Sequence, residues 1–450
     1  PLYVQGTFSW VLNQFSDRDW GSYGELYKVG RVLTALADIG TMMFVYLIGR
    51  RVFGVVAGML GAGLYALAVL PIQLSHFFTV DVWLTCFVTA SLFFLIRYLD
   101  APSLKRACAV GAPVGMAFAT KASVPALVVV VVAVFAFVFL SSVNRLAVAG
   151  QAFAGGLLSL AVFTLFEPYA LVRFDAFRHD IATQSRIVRG VFDIPFTRQF
   201  VGLTPGVYEL ENMFRYTLGP ALMVVSLISI AWSIHAIWKT RDPALSVLVL
   251  WIAAYLPLLL YTEARFLRYT LPLIPVFAII SGGFLHALLA RWRYHTLARV
   301  AVAVVLIVTA VWAFGFTSIY ARENPRLAAS AWMFANIPPA ATISAESWDD
   351  PLPYAVNGNS QRFSTVWFDI YGDAPPDEKV EPLWSTLQQT DYVVLSSDRV
   401  RGSVDNLPWR YAVQKEFYRR LLEGQLGYQL VYDADLRPEL FGLRAHLSTC

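Results

Sequence analysis

Long apolar stretches alternate with short polar gaps along this chain, and the gaps themselves alternate in charge. Ten apolar stretches are legible: Val32–Ile48, Val55–Leu70, Val82–Ile96, Ala107–Ala119, Val124–Leu140, Ala147–Phe166, Ala221–Trp238, Leu245–Leu260, Leu271–Leu289 and Val300–Phe316. Most approach the length a helix needs to cross a bilayer, about 20 residues with roughly 17 to 25 usual. Ala107–Ala119 is the weakest, because it is short and contains Pro113, so a half-helix stays open there. It is kept as a span because its loss would move Arg145 and every later basic cluster to the other side.

Every second gap carries a basic cluster: Arg50-Arg51, then Arg97 with Lys105-Arg106, then Arg145, then Lys239 and Arg241, then Arg291, Arg293 and Arg299. The positive-inside rule places these gaps in the cytoplasm. The other gaps then face outward: Pro71 to Asp81, Lys121, Glu167 to Pro220, and Tyr261 to Arg268. Nearly all loop carboxylates fall on that outward side, with Asp100 and Asp242 the exceptions. Acidic and polar groups gathered at one face mark that face as the working one.

The expected fold class is mainly α, a polytopic transmembrane helical bundle followed by a small extracytoplasmic α/β domain. Residues 1–30, with Trp10, Trp20, Tyr23 and Tyr27, read as an outer juxtamembrane segment, since Trp and Tyr favour the membrane interface. Residues 31–316 form the membrane domain, with one long outer loop over 167–220. Residues 317–450 change composition towards Pro, Asp, Glu and Trp. There Thr342 to Ala345, Tyr392 to Leu395 and Tyr428 to Tyr432 read as strands. Pro408 to Leu422 reads as an amphipathic helix ended by Gly424 and Gly427, and Asn357-Gly358 as a turn. The chain starts at Pro1 without a Met or a signal sequence and ends at Cys450. It reads as a fragment cut at both ends, with a helix expected upstream and the tail domain truncated.

Composition narrows this further. The chain is 57% hydrophobic and 15% charged, which excludes an ordinary soluble domain. Its net charge of +4 is small and says little about partners, and nothing in the sequence resembles a nucleic-acid-binding patch. No P-loop, zinc-type Cys/His spacing or nucleophile elbow is present. Cys86, Cys108 and Cys450 suggest no disulfide framework.

The segment Pro71-Ile72-Gln73-Leu74-Ser75-His76-Phe77-Phe78-Thr79-Val80-Asp81 concentrates polar chemistry between two apolar helices. Ionisable groups at membrane depth are costly and are functional candidates by default. Asp81 could bind a metal or deprotonate a hydroxyl, or it could cap a helix starting at Val82. His76 is open to a catalytic or a packing role. Lys121 could hold a phosphate or merely snorkel. Arg265 and Arg268, beside Glu263 and Tyr269, break the positive-inside pattern at an outer edge. An anionic ligand would explain them, because the guanidinium fork suits phosphate; a salt bridge to Glu263 would explain one. Asp38 within the first span and Glu167 at the end of another are further polar candidates.

From Gly30-Arg31 through Leu47-Ile48-Gly49-Arg50-Arg51-Val52-Phe53-Gly54, and again over Pro71 to Asp81, the chain resembles the bacterial GT-C glycosyltransferases. These include relatives of the dolichyl-phosphate-mannose–protein mannosyltransferases and the aminoarabinose transferases. Thr120-Lys121-Ala122-Ser123 and Arg268-Tyr269-Thr270-Leu271-Pro272 through Pro275 also fit, and the likeness is greatest to the YYY (DUF2298-like) membrane-protein branch. The resemblance implies an enzyme of the bacterial cytoplasmic membrane, with the tail domain outside. It would move a sugar from a polyprenyl-phosphate donor to a hydroxyl of a protein, lipid or glycan acceptor at the outer face. It implies that the family's first acidic position, which serves as base or metal ligand, lies in a loop upstream of Pro1, and that Asp81 matches the second. It also implies that Lys121 and Arg268 meet the lipid phosphate. No cofactor is identified, and a divalent metal stays open. The rival readings are a transporter or flippase for a lipid-linked sugar, and an anchor carrying an adhesion or sensing domain.

Overall fold

The computed structural model describes residues 1–121, 124–291, 295–356, 358–360, 362–372, 374–440 and 443–444. Ala122, Ser123, Arg293, Asn357 and Cys450, which figure among the sequence-based expectations, lie outside the described residues. The chain divides into two compact units. One comprises Pro1–Gln184 and Pro205–Phe314, the other Ser185–Thr204 and Gly315–Cys450. The middle of the long loop over 167–220 therefore belongs with the tail rather than with the membrane helices.

The first unit is mainly helical. Its helices are α1 (Leu2–Asn13), α2 (Tyr23–Phe53), α3 (Val55–Ala66), α4 (Val69–Ser75), α5 (Val80–Asp100), α6 (Leu104–Thr120), α7 (Pro125–Ser141) and α8 (Arg145–Phe166). After these come α9 (Tyr169–Val172), α10 (Phe174–Val188), α11 (Val207–Asn212), α12 (Pro220–Thr240), α13 (Pro243–Tyr261), α14 (Ile274–Arg291) and α15 (His295–Thr317). Among the described residues seven helices are long and apolar enough to cross a membrane, or eight if α3 and α4, bent by 59°, make one broken span. The remaining two expected spans are α6 and α7, helices of 17 residues each. Pro113 does not split α6, which runs unbroken past it. The expected juxtamembrane boundary at Gly30 falls inside α2, whose helix already starts at Tyr23.

Helix ends follow local chemistry. Asn144 caps α8 by accepting the Ala147 N–H, and Asp242 caps α13 by accepting those of Ala244 and Leu245. Asp100 pairs with Arg51 of α2 and lies 3.7 Å from Arg97. Thus the two carboxylates that broke the charge pattern have structural work: one caps a helix and the other ties two basic helix ends together. Small residues let helices meet closely. A Cβ on Gly111 of α6 would collide with the Gly155 carbonyl of α8, and one on Gly282 of α14 with the Gly61 backbone of α3. The core between them includes Ile48, Leu64, Leu92, Leu127 and Trp251, all fully buried.

The second unit holds a parallel pair, β1 (Thr342–Glu346) and β2 (Ser364–Phe368), in register from Thr342–Ser364 to Glu346–Phe368. It adds α16 (Pro325–Asn336), α17 (Pro376–Gln388), α18 (Arg399–Asn406) and α19 (Ala412–Leu422), with a short hairpin of β3 (Glu439–Leu440) and β4 (Leu443–Arg444). The α/β expectation holds with two corrections. Tyr392 to Leu395 runs beside β1 but makes one isolated bridge, Tyr392 to Ile343, rather than a strand. Tyr428 to Tyr432 is not a strand either: Leu430 and Val431 are exposed, and Tyr432 instead stacks on Trp332 at 4.8 Å. The helix read from Pro408 starts at Ala412, and Gly424 and Gly427 follow it at positive φ as expected.

Candidate active site

Three segments far apart in sequence converge on one carboxylate. Asp81 lies in the first turn of α5 and is 4% exposed. Its Oδ1 accepts a hydrogen bond from Lys121 Nζ at 2.8 Å, and Arg268 Nε stands 3.8 Å from Oδ2. Lys121 follows the last residue of α6 in extended backbone, which carries its side chain back to α5. Its ammonium also sits 4.3 Å from the centre of the Tyr269 ring, a favourable cation–π placement. Arg268 and Tyr269 belong to a 3-10 turn, Leu267–Leu273, that precedes α14. The Arg268 guanidinium lies over Phe266 at 4.7 Å and over Tyr269 at 5.8 Å.

Helix α13 holds that turn. Trp251 Nε1 donates to the Pro272 carbonyl and the Tyr255 hydroxyl donates to the Tyr269 carbonyl, both at 2.9 Å. The two rings stack with centroids 4.9 Å apart. Carbonyls of a 3-10 turn lack the full helical ladder, so these two donors satisfy buried acceptors and fix the turn.

The geometry decides between capping and charge pairing for Asp81. Helix α5 starts at Val80 rather than Val82, and Thr79 is its N-cap residue. The Asp81 oxygens meet cations instead of N-terminal amides. One carboxylate faces two cations, leaving a net positive charge. The Arg268 side chain is 47% exposed and that of Lys121 25%, so an anion can reach both. Among the described residues no three His, Cys, Asp or Glu side chains gather as a metal site.

The other candidates are placed elsewhere. Arg265 is 3% exposed and its Nη1 meets Glu209 Oε1 at 2.6 Å. Glu209 Oε2 accepts the Gly206 N–H at 2.7 Å. The partner of Arg265 is therefore Glu209, not Glu263, which is exposed. The two arginines separate: Arg268 stands beside Asp81, and Arg265 is neutralised in a buried pair. His76 Nδ1 lies 2.6 Å from the Ile72 carbonyl oxygen at the end of α4. Asp38 of α2 accepts the Tyr65 hydroxyl of α3 at 2.5 Å, a part-buried inter-helix bond. Glu167 ends α8, half-buried.

Sequence reasoning missed Glu209, Trp251 and Tyr255. The spacing of Trp251 and Tyr255 puts them on one helix face, but nothing in the sequence says that this face meets the 3-10 turn. Glu209 follows Gly206 at capping-box spacing, a local signal that does not reveal Arg265 as its second partner.

No curated protein matches the chain. Among solved structures it is similar to the oligosaccharyltransferase AglB from Archaeoglobus fulgidus, in complex with an inhibitory peptide and a dolichol-phosphate, at 12% identity and TM-score 0.47. That match covers 76% of this chain and 53% of the other, so the chain spans about half the length of that protein. It is also similar to ArnT from Cupriavidus metallidurans bound to undecaprenyl phosphate, at 15% identity and TM-score 0.49, over 89% of this chain and 78% of that one. Residues 23–166 match the family model of dolichyl-phosphate-mannose-protein mannosyltransferase, a stretch that contains both Asp81 and Lys121.

Proposed function

We propose that this chain is a membrane glycosyltransferase that moves a sugar from a polyprenyl-phosphate donor to an acceptor hydroxyl at the outer face of the membrane. The observation that carries the reading is the buried Asp81 carboxylate with Lys121 at 2.8 Å and the exposed Arg268 at 3.8 Å. The match of residues 23–166 to a mannosyltransferase family supports it, and the dolichyl phosphate in that family's name points to polyprenyl phosphates as the donor class. The motifs over Gly30–Gly54 and Pro71–Asp81 suggest the bacterial YYY-type branch.

The chemistry follows from the charges. Lys121 and Arg268 take the donor phosphate, which competes with Asp81 for them. The guanidinium fork suits two phosphate oxygens and the ammonium a third. As the acceptor oxygen bonds to the anomeric carbon, the bond from that carbon to the phosphate oxygen breaks. The two cations stabilise the charge that develops on the departing phosphate. Asp81, released from its cations, accepts the acceptor's hydroxyl proton. Each group thus changes partner as charge moves from acceptor to leaving group.

The test uses the purified full-length protein in proteoliposomes with a polyprenyl-phosphate-linked radiolabelled sugar. Free polyprenyl phosphate should accumulate together with labelled acceptor. Movement of the intact lipid-linked sugar between leaflets, with no cleavage, would replace this reading with a flippase.

A further inference from the structure

The tail unit holds a second feature with the marks of a binding site. Strand β1 ends at Glu346, and the chain turns at once: the Asp349 N–H donates to the Glu346 carbonyl at 3.3 Å. The third residue of this four-residue turn is Trp348, at φ 72°. That position in such a turn calls for Gly or Asn, and a bulky side chain there is a backbone outlier. Strain of this kind persists where surrounding structure enforces it, and it gathers at ligand-binding sites. Among the described residues Arg241 is the only other non-glycine residue at positive φ.

The surroundings do enforce it. Asp349 is 8% exposed, and its Oδ1 accepts the Asp350 N–H at 2.9 Å. The same oxygen lies 3.5 Å from Arg326 and 3.8 Å from Arg399. Its other oxygen accepts the Ser397 hydroxyl. Arg399 also reaches the Trp348 carbonyl at 3.5 Å. Both flanks of the turn are thus anchored inward, while the Trp348 side chain is driven outward and the residue is 53% exposed. Among the described residues its indole stacks on no other ring and carries no cation. The backbone of the turn is fixed, and two exposed charged side chains flank it: Asp350, two residues on and paired with Arg326 at 2.7 Å, and Arg399, whose guanidinium reaches the Trp348 carbonyl at 3.5 Å.

We propose that this turn is a saccharide-binding subsite. The C–H face of a pyranose ring stacks on the Trp348 indole, and ring hydroxyls hydrogen-bond to Asp350 and Arg399. An aromatic platform gives apolar contact at low conformational cost, and a carboxylate with a guanidinium supplies an acceptor and donors. The choice of a saccharide over other flat ligands rests on the glycosyltransferase reading and deepens it: the acceptor is itself a glycan, held by the tail unit.

The strain supplies the test, because Trp348→Gly removes the indole and relieves the backbone together. The full chain in detergent would be applied to an array of mannose-, glucose-, galactose- and arabinose-bearing oligosaccharides. The parent should bind a subset, and Trp348→Gly should weaken that binding roughly tenfold or more with an unchanged or raised thermal midpoint. Trp348→Phe should recover part of the loss. Glycan binding is read with no donor present, so a failure of the Asp81 chemistry would appear in turnover alone. Absence of glycan binding by the parent, or equal binding by Trp348→Gly, overturns the subsite. Loss of binding to anionic lipid vesicles with glycan binding intact would make Trp348 a membrane-interface anchor and also overturns it.

Discussion

Replacing Asp81 by Asn tests whether its charge works in catalysis or only ties elements together. The change keeps shape and leaves a carbonyl to accept the Lys121 hydrogen bond now 2.8 Å long. Two unit charges about 4 Å apart at an effective dielectric of about 20 attract by about 4 kcal/mol. Desolvation and the partial exposure of Lys121 offset most of this, leaving roughly 1–2 kcal/mol of stability at stake. Loss of a favourable charge in the first turn of α5 adds about 0.3–1 kcal/mol. A domain stable by about 5–15 kcal/mol survives that. Loss of a proton acceptor, by contrast, costs roughly 10²-fold or more in rate, about 3 kcal/mol of barrier. Polyprenyl-phosphate-sugar turnover per folded molecule would be measured beside thermal unfolding. A folded Asn variant turning over within about threefold of the parent, roughly 0.7 kcal/mol of barrier, would refute the catalytic reading.

The two arginines should behave oppositely. Arg265→Ala leaves Glu209 buried without its partner and should cost about 3–5 kcal/mol, whereas Arg265→Met with Glu209→Leu should recover most of it; urea titration of the two variants checks this. Arg268→Lys should stay folded yet bind the donor poorly, because a point charge cannot replace the fork; unchanged donor affinity would remove Arg268 from the phosphate site. The Glu346 carboxyl, 4% exposed and hydrogen-bonded by Tyr418, is pushed by burial from 4.5 up to about 7, the Tyr418 bond opposing that rise. The folded tail therefore holds this proton more tightly than the unfolded chain does. The contribution is fully present below pH 4.5 and is lost as pH rises to about 7, on the order of 3 kcal/mol in all. Proteolysis of the tail should quicken over that window, and Glu346→Gln should flatten the dependence. A reporter fused after Cys450 should be active only outside the cytoplasm; cytoplasmic activity would reverse the topology and the outward site with it.

Much of this architecture is legible in the amino-acid sequence. Hydrophobic runs are local and one-dimensional, and the ten read from the sequence fall on helices, Val55–Leu70 on the bent pair α3 and α4 and Leu271–Leu289 on α14 with the end of the 3-10 turn before it. Asp81, Lys121, Arg268 and Tyr269 stand out singly because a charge or polar ring at a membrane edge is costly unless it has a partner or a task. Strands in the tail are read less well. A strand requires a neighbouring edge, and Tyr428 to Tyr432 has the apolar content without the neighbour.

Tertiary structure alone decided who pairs with whom. Charge alternation placed Arg265 and Arg268 at one edge, but only packing sends one to Glu209 in the core and the other towards Asp81. It likewise turned Asp81 from a capping candidate into the counter-ion of Lys121, 40 residues away. Trp251 and Tyr255 looked like ordinary apolar filling until the fold set them under the turn that carries Arg268. The physical reason is common to all three. Burial and helix formation depend on nearest neighbours along the chain, whereas a hydrogen bond or ion pair forms only where two distant segments meet within about 3–4 Å.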